Sequence, residues 1–386
     1  MMNTVRSFMS SQNISTAYRS IFKTQPLQGY KTKSGKDFES ASNNHVQYGC
    51  ASVKGYRPTM EDEYNAIIEV PSEVHNTFDY KHDNAPLMYF AVYDGHGGSS
   101  VSKKLSEDLY VHIMTDEISR RKTESNSACS PGSRTKSYQW LQEDSFLKQK
   151  FMSFDKQLKS HTACGSTAAT VFVSRDPLNK SWEVICANTG DSSAVLFDQG
   201  VTISLNKRHD VNILTEKQRV VKASCEIYDD YVFSSCGQMS LAMTRAFGDY
   251  LFKNNRAQND ANQAVIAEPD IVRVILHDDS KRQDLIKRES KFDNIVKTDS
   301  QSPYTFLVVG CDGIWDVMSY RSVTKYVNEK LLQQDSEIQQ GKRTRLDITS
   351  ICRDLTKKCY HSRDNITVII ALLNRGSDNV DNMGPA

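Results

Sequence analysis

The stretch "MYFAVYDGHGG", Met88 to Gly98, passes from an apolar run directly into an aspartate, a histidine and three glycines. The run has strand length, is rich in Tyr, Phe and Val, and reads as a buried strand. A second stretch, "TFLVVGCDGIWDVM" (Thr305 to Met318), repeats the pattern of a hydrophobic strand followed by Asp-Gly. Either could be a simple turn. Together they raise the prospect that two strand ends deliver carboxylates to one place.

Outward from these two runs, short apolar segments bounded by turn residues recur along the chain. They cover Gln47–Val53, Tyr64–Val70, Leu87–Tyr93, Ala168–Val173, Trp182–Ala187, Ala194–Phe197, Ile271–Leu276, Phe306–Val309 and Ile366–Leu373. Helical periodicity is confined to Ser99–Ile118, Tyr138–Leu158, Ser322–Gln333 and Leu346–Tyr360. Strands and helices do not alternate strictly, so the expectation is an α+β fold of antiparallel sheets flanked by helices. Residues 1–36 read as an extension and 37–374 as one domain, with 375–386 a loose tail. Two stretches read as inserted surface loops, near 120–137 (Ser-, Lys- and Arg-rich) and 277–303 (densely charged).

With 386 residues, 38% hydrophobic and 25% charged, the chain can bury a sizeable core. Its net charge of +1 offers no field to draw nucleic acid or an anionic membrane, and no basic patch is interleaved with aromatics. The apolar runs are too short to cross a bilayer. Nine cysteines, an odd number without a CxxC pair, suit reduced thiols in an intracellular protein. No secretory signal is visible, and Met2-Asn3 is not a myristoylation start. The first acidic residue is Asp37, after six Lys and Arg among many Ser and Thr. That composition fits a mitochondrial presequence or a polar extension; abundant Asn and Gln and a weak amphipathic pattern favour the extension. Monomer is the default oligomeric state.

Five segments place a carboxylate beside an apolar strand: "RPTMEDEY" (Arg57–Tyr64), "YDGHGG" (Tyr93–Gly98), "NTGDSS" (Asn188–Ser193), "CDGIWD" (Cys311–Asp316) and "SRDNITV" (Ser362–Val368). Carboxylates brought together repel one another unless a cation lies between them. An all-oxygen set without His or Cys at ligand spacing selects magnesium or manganese. Gly95 would let its own carbonyl approach such an ion beside Asp94. Arg57, four residues before Glu61, brings a guanidinium that matches phosphate bidentately. His96, set among the glycines, is a candidate proton donor to a leaving oxygen.

These segments, with "CGSTAATVFV", "LAMTRAFGDY" and "VIAEPDIVRV", resemble the ordered motif series of the metal-dependent protein phosphatases of the 2C type, from about Tyr48 to Leu373. The resemblance implies a central sandwich of two antiparallel sheets with helices on both outer faces. It implies a Ser/Thr phosphatase acting on phosphorylated proteins with two Mn2+ or Mg2+ ions and a third, weaker metal position. Carried over by motif, Asp94 would bridge two ions, the Gly95 carbonyl would bind one, and Asp312 and Asp364 would complete the other. Glu61 would act through water with Asp62 in support, Asp191 would match the third position, Arg57 would hold phosphate, and His96 would protonate the departing oxygen. Water would attack phosphorus directly, without a phosphoenzyme.

The sequence departs from the family at Ser193, where arginine is usual, and in Glu216–Ala242. That segment keeps Glu216 and Arg219 but has Ala223-Ser224 in place of glycines. It corresponds to the variable flap, so substrate preference is what the departures put in doubt. A cysteine phosphatase is excluded because no cysteine is followed by arginine at the sixth place, and no GxxxxGK[ST] loop is present. The alternative retained is a catalytically weak relative acting as a phosphoprotein-binding module.

Overall fold

The computed structural model describes residues 30–32, 36–68, 87–124, 143–176, 181–276, 295–297 and 302–374. The expected tail and nearly all of the expected extension therefore lie outside the described residues, as do residues 69–70 and 138–142 of the expected elements and most of both insertions.

Two antiparallel sheets carry the fold, an α+β architecture. The larger has eight strands in the spatial order Tyr30–Thr32, Lys36–Ser42, Val46–Val53, Ile366–Leu373, Thr305–Gly310, Ser193–Asp198, Val201–Ser204 and Ile295–Lys297. The smaller has five, ordered Asp270–Leu276, Trp182–Thr189, Ala168–Arg175, Leu87–Tyr93 and Glu63–Ile67. The helices used below are α1 (Ser100–Glu124), α2 (Asp144–Asp155), α3 (Leu214–Lys222), α4 (Asp312–Trp315), α5 (Tyr320–Gln339) and α6 (Ile348–Cys359).

Because side chains alternate along a strand, each central strand supplies two cores. Met88, Phe90 and Val92 face Leu307, Val309, Ile369 and Ala371 of the other sheet. Tyr89, Ala91 and Tyr93 face Leu105 and Leu109 of α1 and Phe151 of α2. On the opposite outer face, Phe306, Val308, Val368 and Ile370 meet Val323 and Val327 of α5 and Ile351 and Leu355 of α6. The molecule is thus layered helix, sheet, sheet, helix. Burial on both faces explains why the central strands are continuous apolar runs rather than alternating ones. Each large side chain removed from water there contributes about 1.5–3 kcal/mol.

All nine expected strands are present. The sequence reading missed Lys36–Ser42, which turns Phe38 to the helix-covered core and Ala41 to the core between the sheets, in an otherwise polar strand. It also missed α3 and the strand Val201–Ser204. Two boundaries need correction. Arg120–Glu124, expected to open an inserted loop, continues α1, as its Arg, Lys and Glu residues favour. Ile295–Lys297, inside the stretch expected to be a surface excursion, pairs with Val201–Ser204. An edge strand of three residues needs backbone complementarity and little apolar content. No helix among the described residues is long and apolar enough to cross a membrane.

Gly49 marks where α6 lies closest to its sheet. A Cβ there would sit 2.5 Å from the Thr349 nitrogen and 2.7 Å from the Ile348 carbonyl carbon. Cys352 donates its thiol to the Gly49 carbonyl at 3.2 Å. Gly49→Ala is expected to destabilise the protein by about 1–3 kcal/mol through overpacking, read as a lowered urea midpoint. An unchanged midpoint would mean that α6 sits further from the sheet.

Candidate functional site

Strand register brings the five acidic segments to one end of the sandwich. In the smaller sheet Tyr93 pairs with Glu63, and Ala168 pairs with Thr189, so Asp94, Asp62 and Asp191 leave from the same edge. In the larger sheet Gly310 pairs with both Ser193 and Val368, placing Asp312, Asp191 and Asp364 at its matching edge. The turn Gly190–Ser192 crosses from one sheet to the other, which puts Asp191 between the two groups.

The local framework is fixed by hydrogen bonds. Asp94 accepts the Thr167 N–H at 2.9 Å on its carbonyl and donates its own N–H to Thr167 Oγ1 at 3.2 Å. Asn365 clamps the Arg57–Asp62 loop. Its Nδ2 donates to the carbonyls of Lys54 (2.8 Å) and Thr59 (3.0 Å), and its Oδ1 accepts the Glu61 N–H at 2.8 Å. Glu61 in turn accepts from Thr59 Oγ1 and from the Gly98 N–H. Gly95 is required for a reason the sequence did not expose: a Cβ there would lie 2.4 Å from the Glu61 carbonyl oxygen.

The carboxylates repel strongly. Burial, then the charges of Asp312, Asp62 and Asp191, hold Asp94 well above the ordinary carboxylate range. Burial and the charges of Asp191, Asp364 and Asp316 do the same to Asp312. Burial pushes Asp62 up to about 7, although Thr367 Oγ1 donates to its Oδ2 at 2.7 Å. Asp191 is raised by burial against the opposing charge of Arg208, whose Nη2 lies 3.8 Å away. Asp62 Oδ1 and Asp191 Oδ1 are buried without a hydrogen-bond partner.

Such a set fits a hard cation. Asp62, Asp94 and Cys311 each bring a ligand atom within 4.8 Å of the others. Cys311 was not foreseen. Burial and the neighbouring acids push its thiol well up, and its sulfur accepts the Thr367 N–H at 3.1 Å. The donors available to an ion are therefore oxygens.

Arg57 is exposed and reaches into the cluster through one nitrogen, Nη2, which donates to Asp364 Oδ2 at 2.7 Å. His96 bonds through Nε2 to Oδ2 of fully buried Asp249 at 2.7 Å. Burial opposes charge on the imidazole, but the Asp249 carboxylate outweighs it and raises the His96 pKa. Asp249 stands in "LAMTRAFGDY"; its position after Phe247-Gly248 was the available signal.

Residues on either side of the Glu216–Ala242 excursion belong to this site. Arg208, before it, reaches Asp191 and bonds Asp316 at 2.6 Å, and Asp249 follows it. Its base is held by buried Glu216, which accepts from Arg219, Arg245 and Thr244. Those arginines overcome the effect of burial and lower the Glu216 pKa to about 2. Ser224 adopts a left-handed φ of 64°. Ser193 is buried against Tyr320, hydroxyl to hydroxyl at 2.9 Å.

The raised pKa values set a sign for pH dependence. Asp62 holds its proton to about 7 when folded, against 3.8 ordinarily. Across that interval the folded state binds more protons than the unfolded chain, so stability falls as pH rises. In chelator the melting temperature should drop from pH 5 to about 7.5, and divalent manganese should reverse the drop. A manganese-insensitive profile would contradict a cation-accepting cluster.

Comparison with known proteins places the chain in one family. The family model described as protein phosphatase 2C matches residues 46–283 and 293–366. Protein phosphatase 1B of Mus musculus is 28% identical over 349 residues, spanning 88% of this chain and 73% of its own length. A probable protein phosphatase 2C of Caenorhabditis elegans is also 28% identical, over 88% of this chain and 78% of its own. Among solved structures, a phosphatase from Toxoplasma gondii shares the fold with a TM-score of 0.58 at 21% identity, covering 87% of this chain and 95% of that one. This chain belongs to the protein phosphatase 2C family.

Proposed function

We propose that this chain is a metal-dependent Ser/Thr protein phosphatase that hydrolyses phosphoserine and phosphothreonine in protein substrates by direct attack of water. The observation that carries the reading is the concentration of Asp62, Asp94, Asp191, Asp312 and Asp364 at one edge, with two buried carboxylate oxygens left without partners.

Asp94, the Gly95 carbonyl, Asp312 and Asp364 would hold a pair of Mn2+ or Mg2+ ions, with Glu61 acting through water. Asp62 would support that corner, and Asp191 would serve a third, weaker position. Ions bound there supply positive charge and lower the pKa of coordinated water. The protein's own share is positioning. Arg57 engages Asp364 through one nitrogen and offers the remainder of its guanidinium to phosphate oxygens. His96 gives a proton to the serine or threonine oxygen as the P–O bond breaks. Thr167 and Asn365 keep Asp94 and the Arg57–Asp62 loop from yielding to repulsion.

A binding module without turnover is the rival reading, and the presence of Asp94, Asp312 and Asp364 together argues against it. Hydrolysis of a phosphothreonine peptide should appear with manganese and vanish with chelator. Asp94→Asn and Asp312→Asn should each abolish turnover; wild-type rates in both would overturn the assignment. His96→Ala should slow the phosphothreonine peptide by about 10²-fold or more while affecting an aryl phosphate far less, because only the poor leaving group needs the proton. Equal losses on the two substrates would remove His96 from that role.

A further inference from the structure

His96, Gly165 and Asp249 meet in a small three-stranded ladder beside the carboxylates. Gly95–His96 pairs with Gly165–Ser166, which pairs on its other side with Phe247–Gly248. His96 and Gly248 thus flank Gly165, and Asp249 reaches over that glycine to the imidazole. The fit leaves no room for a side chain between them. A Cβ on Gly165 would lie 1.9 Å from Asp249 Oδ2 and 2.5 Å from His96 Nε2.

The backbone is bent to make this contact. Asp249 adopts a left-handed conformation (φ 52°, ψ 42°), and its N–H donates to the Cys164 carbonyl at 3.1 Å. Gly248 before it has φ 76°, and a Cβ there would meet the same carbonyl at 2.4 Å. A residue held in a sparsely populated region persists only where its surroundings require it. Here they require a carboxylate with no solvent exposure, pointed at one ring nitrogen.

We propose that Asp249 is the positioning residue for His96: it accepts the Nε2 proton, fixes the tautomer and ring plane, and leaves Nδ1 as the nitrogen that serves the substrate. This rests on the phosphatase reading above. Among the described residues, Nδ1 has no hydrogen-bond partner, and 21% of the His96 side chain remains accessible. In the reaction, water oxygen forms the new bond to phosphorus, and the P–O bond to the substrate breaks with its electron pair staying on the serine or threonine oxygen. The proton on Nδ1 passes to that oxygen, leaving neutral imidazole with its remaining N–H directed at Asp249. The generalisation is familiar: a buried carboxylate sets which nitrogen of a histidine does chemistry.

The test is a double-mutant cycle on the manganese-loaded full chain, with a phosphothreonine peptide and an aryl phosphate as substrates. Asp249→Asn preserves shape, and asparagine tolerates the left-handed backbone, so folding should survive; thermal melting checks this. The expected result is a fall in kcat of roughly tenfold or more on the phosphopeptide, little change in KM, and a much smaller fall on the aryl phosphate. In the His96→Ala background the same substitution should change the phosphopeptide rate by no more than about twofold, because residues that act as a unit are not additive. Equal losses on both substrates, a further large loss in the His96→Ala background, or no loss at all would overturn the inference. Wild-type protein without manganese-dependent hydrolysis would instead sink the phosphatase reading. A selective His96→Ala effect with a silent Asp249→Asn would sink only the positioning role.

Discussion

The electrostatic repulsion among Asp94, Asp312, Asp62 and Asp191 is the constraint on which the rest of the structure depends. These groups converge because two antiparallel sheets end their strands at a common edge. They remain there because the layers behind them are packed too well to relax. Phe90 and Met88 on one side of their strand, with Tyr89 and Tyr93 on the other, give the backbone before Asp94 no freedom to withdraw. The hydrophobic core therefore holds charge where charge is unfavourable, and a cation bound there would relieve the strain.

The cationic side chains nearby divide the work rather than neutralise the cluster. Arg57 touches Asp364 from the exposed side, and Arg208 spans Asp191 and Asp316. Neither guanidinium relieves the orphaned oxygens of Asp62 and Asp191, which stay without partners. Hydroxyl and amide groups form the scaffold instead. Thr167, Thr367 and Asn365 fix main chain or carboxylate positions without adding charge. This arrangement leaves a specific deficit of positive charge, suited to a small divalent cation.

Much of this was legible in the sequence because the central strands are buried on both faces and so appear as unbroken apolar runs. Their junctions with Asp94 and Asp312 could be read directly. What escaped notice had weaker physical signatures. Lys36–Ser42 offers its two cores only Phe38 and Ala41, one on each face, among polar residues, and Ile295–Lys297 is an edge pairing embedded in charged residues. Glu216 was read only as a residue kept in the variable segment; that it anchors α3 follows from the fold, which brings Arg245 to it beside Arg219. Asp249 lay far from His96 in sequence, and only the ladder through Gly165 joins them. Gly95 was assigned to its carbonyl, whereas the structure shows that the Glu61 backbone also forbids a side chain there.

The most direct test is calorimetric titration of the metal-free protein with manganese at about pH 6, repeated in buffers of different ionisation enthalpy. Asp62 is protonated below about 7 in the folded protein, so an ion entering the cluster must displace protons. Binding accompanied by net proton release, with the release diminished in Asp62→Asn, is the predicted result. Binding with the same apparent heat in every buffer, or no binding, would contradict the claim that repelling carboxylates at the sandwich edge form a cation site.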